Sequence, residues 1–490
     1  MFKIRDSEEI SLKKATAINA GSKYTVVILG LLFSAVLARL LTPKDYGIVA
    51  VVTVFTNFFS LFSDMGIGTA VIQNKKLTDE DENKIFTFTI FLGMILCVVF
   101  SAFSFVLVYL YKKKIYYIIA PLLGISLALT TFNMVPNAKL MKSKRFILVA
   151  FRTIISCIIG YLFAILVAFL GGKYYAIILQ SIITATFCLL WNLKSSKLKF
   201  CKGNVFISVK KIWSFSSYQF GFNIINYFSR NLDNLLTGYY FGDVMLGFYD
   251  KAYRLMRYPV DNLTNVITPS IQPILSDHQD DVKYVLCQYN KIAKFLSVIA
   301  IYISAVCFFA SKEVILLYFG QQWEGAIVCF HYLSAGLFFQ IVGGVSGSIY
   351  QCVNKTKAMF WSGIIGSIIT VVAIIIGISF GSIELLALCY SIGFVLNFVK
   401  SQWFLGHFCF DESVFKLTII YLPELVIFAV MCVVMYFIPT FDNLLLSFII
   451  KFIVCSITYI IMLFVSKEYK ILIAALPSRI TSHLPKCLQG

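Results

Sequence analysis

A chain of 490 residues with 59% hydrophobic and only 13% charged side chains, and a mean hydropathy of +0.84, has too little polar surface to cover a soluble core. Its net charge of +18 would suit nucleic acid, yet the cations lie in short connections between apolar runs, a pattern of membrane orientation rather than of a basic patch. Composition therefore excludes a soluble enzyme and a nucleic-acid partner, and leaves an all-α polytopic membrane protein.

The opening MFKIRDSEEISLKK is charged and too long for an ordinary signal peptide, so the first apolar run is expected to be retained. Runs of about 20 mainly apolar residues then recur about fourteen times, at 17–41, 48–72, 85–110, 115–136, 147–170, 174–192, 214–240, 259–276, 292–318, 325–351, 360–380, 384–406, 415–439 and 443–466. With both termini in the cytoplasm, and residues near span ends assigned to the adjoining connection, 28 of the 42 Lys and Arg residues fall on the cytoplasmic side and ten outside. Lys23, Arg152, Arg230 and Lys451 fall within spans. This asymmetry follows the positive-inside rule. Lys112–Lys113–Lys114 lies on the outer side, against the rule.

No connection exceeds roughly twenty residues, and the longest is the basic stretch from Lys194 to Lys211. It divides six spans from six, with two more at the C-terminus. At an offset of 200, Gly21 matches Gly221, Leu32 matches Leu232, Gly47 matches Gly247 and Asp81 matches Asp281. The expected organisation is two pseudo-symmetric six-helix lobes around a central cavity. An N-terminal lobe spans 1–193, a basic cytoplasmic connection 194–213 and a C-terminal lobe 214–406, followed by two further helices and a cytoplasmic tail over 407–490. Spans 1 and 7 both start from the cytoplasm, so the repeat is parallel, about an axis along the membrane normal.

The most informative stretch is SYQFGFNIINYFSRNLDNLLTGYYFG, residues 217–242. As a helix it places Gln219, Asn223, Tyr227, Arg230 and Asn234 on one face by three- and four-residue steps, with Asp233 within ion-pairing reach of Arg230. A charge at this depth is costly and usually faces a bundle interior or a water-filled path. A wet, cation-bearing surface is what a polar or anionic cargo needs. Lys23 stands at the position that corresponds to Asn223 and joins the candidate set. Asp64, in span 2 within SDMGIG, is a second intramembrane carboxylate, and Glu424 lies in span 13 beside Pro423. Arg152 and Lys451 lie close enough to span ends to snorkel to the interface. In GFYDKAYRLMRYP, Lys251, Arg254 and Arg257 alternate with tyrosines, which suits contact with lipid phosphates or an aromatic belt.

Enzymatic constellations are missing from the sequence. No GxxxxGK(S/T), HExxH or GxSxG occurs, and His278, His331, His407 and His483 are far apart. The thirteen cysteines are scattered singly and read as small buried hydrophobes, so neither a metal, a cofactor nor a catalytic residue is expected.

Two segments carry a resemblance. ARLLTPKDYGIVAVV (38–52) with FSDMGIGTAVIQ (62–73), and NYFSRNLDNLLTGYYFG (226–242) with LGFYDKAYRLMRYP (246–259), resemble the lobe starts of bacterial polysaccharide transporters. These are the Wzx-type O-antigen, capsule and exopolysaccharide flippases of the multidrug/oligosaccharidyl-lipid/polysaccharide exporter superfamily. The resemblance implies two six-helix lobes around a cavity that opens alternately to either side. It implies a polyprenyl-diphosphate-linked oligosaccharide as cargo, carried from the cytoplasmic to the outer leaflet among membrane lipids, with polysaccharide polymerase machinery as a further partner. Arg230 and Asn234 are carried over as substrate-binding, and Asp233 and Asp64 as groups that could couple transport to H+ or Na+; Lys23 is added from its place in the repeat alone. The alternative is a cation-coupled drug or metabolite antiporter of the same superfamily, whose site should be acid-rich and lack a buried arginine. A membrane polymerase or ligase of the same pathway would instead carry a long outer loop, and the outer connections here are all short.

Overall fold

The computed structural model of the chain describes residues 12–64, 66–201, 204–210, 217–276, 279, 281–439 and 441–474. Among them the regular structure is entirely helical, as the composition demands of a chain that must satisfy its backbone inside a bilayer. Ten helices are long and apolar enough to cross a membrane, and a pair bent by 46° at 321–352 makes an eleventh. Two long helices with polar faces and one 15-residue apolar helix bring the total into line with fourteen crossings. The chain forms two compact units, Met1–Gly247 and Phe248–Gly490.

Unit 1 runs through α1 (Leu12–Leu40), α2 (Pro43–Asp64), α3 (Ile67–Gln73), α4 (Asp79–Tyr111), α5 (Tyr116–Phe132), α6 (Met134–Lys142), α7 (Phe146–Phe169), α8 (Tyr175–Ser196), α9 (Val205–Lys210) and α10 (Ser217–Tyr240) to the start of α11 (Gly242–Ser276). Helix α2 starts where Pro43 occupies the first helical turn and Thr42 and Asp45 cap each other, Thr42 N and Oγ1 donating to Asp45 Oδ2 at 3.0 and 2.6 Å. Helix α4 repeats the device with Thr78 and Asp81. The basic connection is laced to α4 where it is described: Lys199 N donates to Asn83 Oδ1, Cys201 N to Thr87 Oγ1 and Ser208 Oγ to Asp81 Oδ1. Since α10 packs on α2 and α4, the compact unit ends after α10 instead of at the connection.

Arg152 does not snorkel. It is buried on α7 and donates to Asn137 Oδ1 at 3.2 Å and Thr153 Oγ1 at 3.0 Å. Asn137 on α6 offers it an acceptor on a neighbouring helix.

The starts of α2 and α11 cross by way of two glycines. A Cβ on Gly47 would fall 1.8 Å from the carbonyl oxygen of Asp243, and one on Gly247 would fall 2.0 Å from that of Pro43. The contact maps onto itself under the 200-residue offset, since 43 corresponds to 243 and 47 to 247. It is therefore isologous in form. Later in the chain the backbone repeats at an offset of 210. Lys144 and Asn354 share φ of 56° and 55°, and Gly171 and Gly381 share φ of 80°.

Unit 2 holds the rest of α11, then α12 (Val282–Phe309), α13 (Ser311–Phe319), a 3-10 turn (Gln321–Ala326), α14 (Ile327–Ala335), α15 (Leu337–Gly343), α16 (Ser346–Cys352), α17 (Thr356–Ser379), α18 (Ile383–Leu405), α19 (Val414–Ile419), α20 (Leu422–Tyr436), α21 (Leu444–Val465) and α22 (Tyr469–Ala474). Unit 1 has only Lys112–Ile115 where unit 2 has α13 and the 3-10 turn, and this insertion moves the offset from 200 to 210.

The last two spanning helices are fastened to α12 and α13 at both ends. Lys294 Nζ lies 2.8 Å from the fully buried Glu424 and 2.9 Å from Glu468, and Ser297 Oγ donates to Glu424 at 2.7 Å. Lys451 does not snorkel either: its Nζ lies 2.7 Å from Glu313, which also accepts from Ser447 at 2.6 Å. The basic, tyrosine-rich start of α11 turns Lys251 and two of its tyrosines inward and leaves Arg254 exposed. Lys251 is buried over the rings of Phe319 and Trp323, 5.2 and 5.8 Å from their centroids. Arg254 pairs with Asp250, and Arg257 with Asp261.

Two outcomes follow for the purified full-length protein. Gly47→Ala and Gly247→Ala should each lower stability, on the order of 1–3 kcal/mol, because backbone rather than a flexible side chain occupies the space. Gly68→Ala, with nothing within 4 Å of its Cβ, should not; thermal melting in detergent reads the difference, and wild-type melting of Gly247→Ala would refute the crossing. Glu424→Ala leaves Lys294 with Glu468 as its one carboxylate partner and Ser297 without its acceptor, and should cost about 1–3 kcal/mol. Lys416→Ala, which breaks only the exposed Lys416–Glu412 pair, should leave melting unchanged. Equal effects from the two would mean the buried pair does not hold the C-terminal helices.

Candidate functional site

Helix α10 carries six of the eight candidate residues, and its neighbours divide them into covered and uncovered groups. Its far half lies against α2 and α4: Tyr111 Oη donates to the Leu235 carbonyl at 3.1 Å, and the Cβ position of Gly238 is 3.0 Å from Val51. Along this covered side Ser229, Asp233 and Thr237 recur at four-residue steps, all buried, with Asn234 beside them. Asp233 and Thr237 are wholly inaccessible. Asn234 Oδ1 and Thr237 Oγ1 are buried without a hydrogen-bond partner among the described residues.

Arg230 is exposed, three residues before the buried Asp233. A guanidinium left uncovered at this depth presents five N–H donors in a fixed fork, the geometry that matches phosphate or carboxylate. Asn231, next to it, turns its Nδ2 back onto the Tyr227 carbonyl at 2.8 Å and so is occupied within the helix.

Tyr227 ties α10 to α2, its hydroxyl donating to the carbonyl of Val54. Its ring stands among Phe58 and Phe228, whose own centroids are 4.7 Å apart. Spacing alone puts Tyr227 on the wet face, but the structure shows it half-buried and acting as a fastener. The same spacing puts Asn234 with Arg230. The structure separates them, because α10 passes from an uncovered to a covered stretch within one turn. Ser229, Thr237 and the Val54 carbonyl were not legible as parts of this site: a serine and a threonine are ordinary in a helix, and a backbone acceptor leaves no mark in the sequence.

Lys23 is exposed on α1, which packs along α7, and the described residues do not join it to α10. Gln219 and Asn223 lie in the first turns of α10 and Asp64 ends α2, but the side chains of these three lie outside the described residues. What the arrangement brings together is an uncovered cation, a buried carboxylate one turn on, and buried amide and hydroxyl groups beside it. Such a set presents a guanidinium that can hold an anion at Arg230.

Comparison with known proteins gives the family and the fold. The family model described as polysaccharide biosynthesis protein matches residues 36–328. The teichuronic acid biosynthesis protein TuaB of Bacillus subtilis (strain 168) is 20% identical over 400 residues, 80% of this chain and 82% of its own length. The lipopolysaccharide biosynthesis protein WzxC of Escherichia coli (strain K12) is 24% identical over 383 residues, 75% of this chain and 76% of its own. Among solved structures, the lipid II flippase MurJ in its inward closed conformation aligns with a TM-score of 0.71 at 16% identity, covering 93% of this chain and 100% of that one. An inward-facing multidrug resistance MATE family transporter of the MOP superfamily aligns with a TM-score of 0.60 at 15% identity, over 78% of this chain and 94% of that one. The fold is thus that of the MOP transporters. With well over half its length matched by the family model, the chain belongs to the polysaccharide biosynthesis protein family.

Proposed function

We propose that the chain is a flippase carrying a polyprenyl-diphosphate-linked oligosaccharide repeat unit from the cytoplasmic to the outer leaflet, by alternating access, for assembly of a surface polysaccharide. The observation that carries this reading is Arg230, an uncovered guanidinium on a spanning helix. A diphosphate is a bidentate partner for it, and the cost of leaving such a charge at membrane depth is recovered only when an anion arrives. The named relatives serve teichuronic acid and lipopolysaccharide biosynthesis, and the structural neighbour MurJ is a lipid II flippase. These support a lipid-linked glycan as cargo.

In this reading Arg230 binds the diphosphate, while Asn223, Gln219 and Asn234 meet sugar hydroxyls as the lobes rearrange. Tyr227 holds α10 against α2, and Lys23 adds a cation from α1. Asp233 and Asp64 couple the cycle to H+ or Na+, since a carboxylate that is buried in one state and wet in another changes its charge cheaply. The protein works in the bacterial cytoplasmic membrane with both termini inside, passes its product to polysaccharide polymerase machinery, and catalyses no covalent step. A drug or metabolite antiporter would use Asp233 alone and gain nothing from Arg230.

The decisive experiment places lipid-linked repeat units in a deletion strain with a probe confined to the outer leaflet. Units should accumulate on the cytoplasmic side, and the intact chain should restore surface glycan. Arg230→Ala should restore little, and Arg230→Lys should restore part, because charge without a planar fork loses the bidentate contact. Normal outer-leaflet delivery in the deletion strain would refute the carrier reading. Full restoration by Arg230→Ala would remove Arg230 from the site while leaving the carrier reading intact.

A further inference from the structure

The three connections α1–α2, α4–α5 and α7–α8 and the start of α11 meet at one end of unit 1 around a cavity of about 750 Å³. Positive-inside counting puts this end outside the cell. Lys44, Lys113, Lys114 and Lys173 line the cavity, against two carboxylates, Asp45 and Asp243. Neither carboxylate is available to neutralise the group. Asp45 is buried and caps α2 through Thr42. Asp243 is buried and held 2.6 Å from Lys113 Nζ. Lys44, Lys114 and Lys173 are exposed and form no ion pair among the described residues.

Half of the ten outward Lys and Arg residues thus gather at this one end from three connections far apart in sequence: these four with Lys112, the rest of the run that breaks the positive-inside pattern. The remaining wall is mainly apolar, with Leu40, Leu41, Ile48 and Ile115, and with Thr42 and Tyr174 as its hydroxyl-bearing members. Cations beside an apolar wall at the level of the outer headgroups suit an amphiphile whose head is a phosphate and whose tail begins at once.

We propose that this cavity is a binding site for the phosphate headgroup of an outer-leaflet lipid, with Lys44, Lys114 and Lys173 around the phosphate and the first methylenes against Leu40, Leu41, Ile48 and Ile115. The proposal rests on the outward topology and not on the flippase reading. Two lipids share the required chemistry, a polyprenyl diphosphate and a resident anionic phospholipid.

The full-length protein in phosphatidylcholine nanodiscs is titrated with farnesyl diphosphate, and separately reconstituted with increasing phosphatidylglycerol and read by lipid co-purification. The triple variant Lys44→Gln, Lys114→Gln, Lys173→Gln is compared with a control in which Lys75, Lys76 and Lys199, at the opposite end, become Gln. At roughly fivefold per lysine, the outer variant should weaken binding on the order of a hundredfold, with the control and the melting temperature unchanged. Because all three lysines are exposed, loss of fold does not confound the result. Loss of farnesyl diphosphate binding alone identifies the diphosphate lipid, and loss of phosphatidylglycerol retention alone identifies the resident phospholipid; both support the site. Unchanged binding of both lipids in the triple variant overturns it, as does equal loss in the control. Inorganic pyrophosphate binding as tightly as farnesyl diphosphate overturns the lipid assignment. Repeating the titration on Arg230→Ala separates this site from the proposed transport site: outer binding should persist there even where transport is lost.

Discussion

The backbone crossing of α2 and α11 is the contact on which the rest of unit 1 depends. Two helices that approach until a single methyl would strike a carbonyl can only be built with glycine at both contact points, and Gly47 and Gly247 supply them. The crossing fixes the direction of α11 as it leaves α10. That in turn lays α10 along α2, where Tyr227 meets Val54 and Tyr111 meets Leu235. It also sets Asp243 at the outer end, its carbonyl over Gly47 and its carboxylate on Lys113. One contact therefore orients both the face that bears Arg230 and the wall of the outer cavity.

Charge at membrane depth is managed in two ways. Lys294 with Glu424 and Lys451 with Glu313 are each paired with a carboxylate on another helix, whereas Arg152 reaches Asn137 through Nη2 alone, its Nε and Nη1 buried with no partner among the described residues. Each of these contacts joins helices that the chain could otherwise let slide. Arg230 and Lys23 are left uncovered. The contrast matters because a covered charge has already exchanged water for a partner, whereas an uncovered one retains its full capacity for a ligand. A chain that pairs Lys294 and Lys451 with carboxylates elsewhere leaves Arg230 open at a cost, which binding an anion would offset under the proposed function.

Much of the fold was legible because the bilayer imposes a simple code. Long apolar runs, short basic connections and the Gly47/Gly247 match sufficed for an all-helical, duplicated architecture. The second half of the duplication was not legible at a single offset, since α13 and its 3-10 turn shift the register by ten residues. Its clearest signs, the paired positive φ angles at Lys144 and Asn354 and at Gly171 and Gly381, are backbone conformations invisible in side-chain identity. Reading Arg152 and Lys451 as snorkelling failed for another reason. A residue near a span end looks free to reach the interface until a partner on another helix is known, and for Lys451 the partner is 138 positions away. At α10 the helical wheel found Arg230 and Asp233 but could not tell which part of the polar face a neighbour covers.

The run Lys112–Lys113–Lys114 brings these strands together. Cations on the outer side oppose the orientation that the other connections favour, so their presence needs a compensating reason. A structural reason accounts for Lys113 alone, which answers Asp243. Among the described residues no carboxylate engages Lys114, nor Lys44 and Lys173 that the fold brings beside it. In the proposed topology, their place around this cavity would be at the outer headgroups, where a cation is most valuable to a lipid phosphate. The same chemistry then recurs at two depths of one protein: a guanidinium open within the spanning helices and a cluster of ammonium groups open at their outer end, each left unneutralised by the side chains around it.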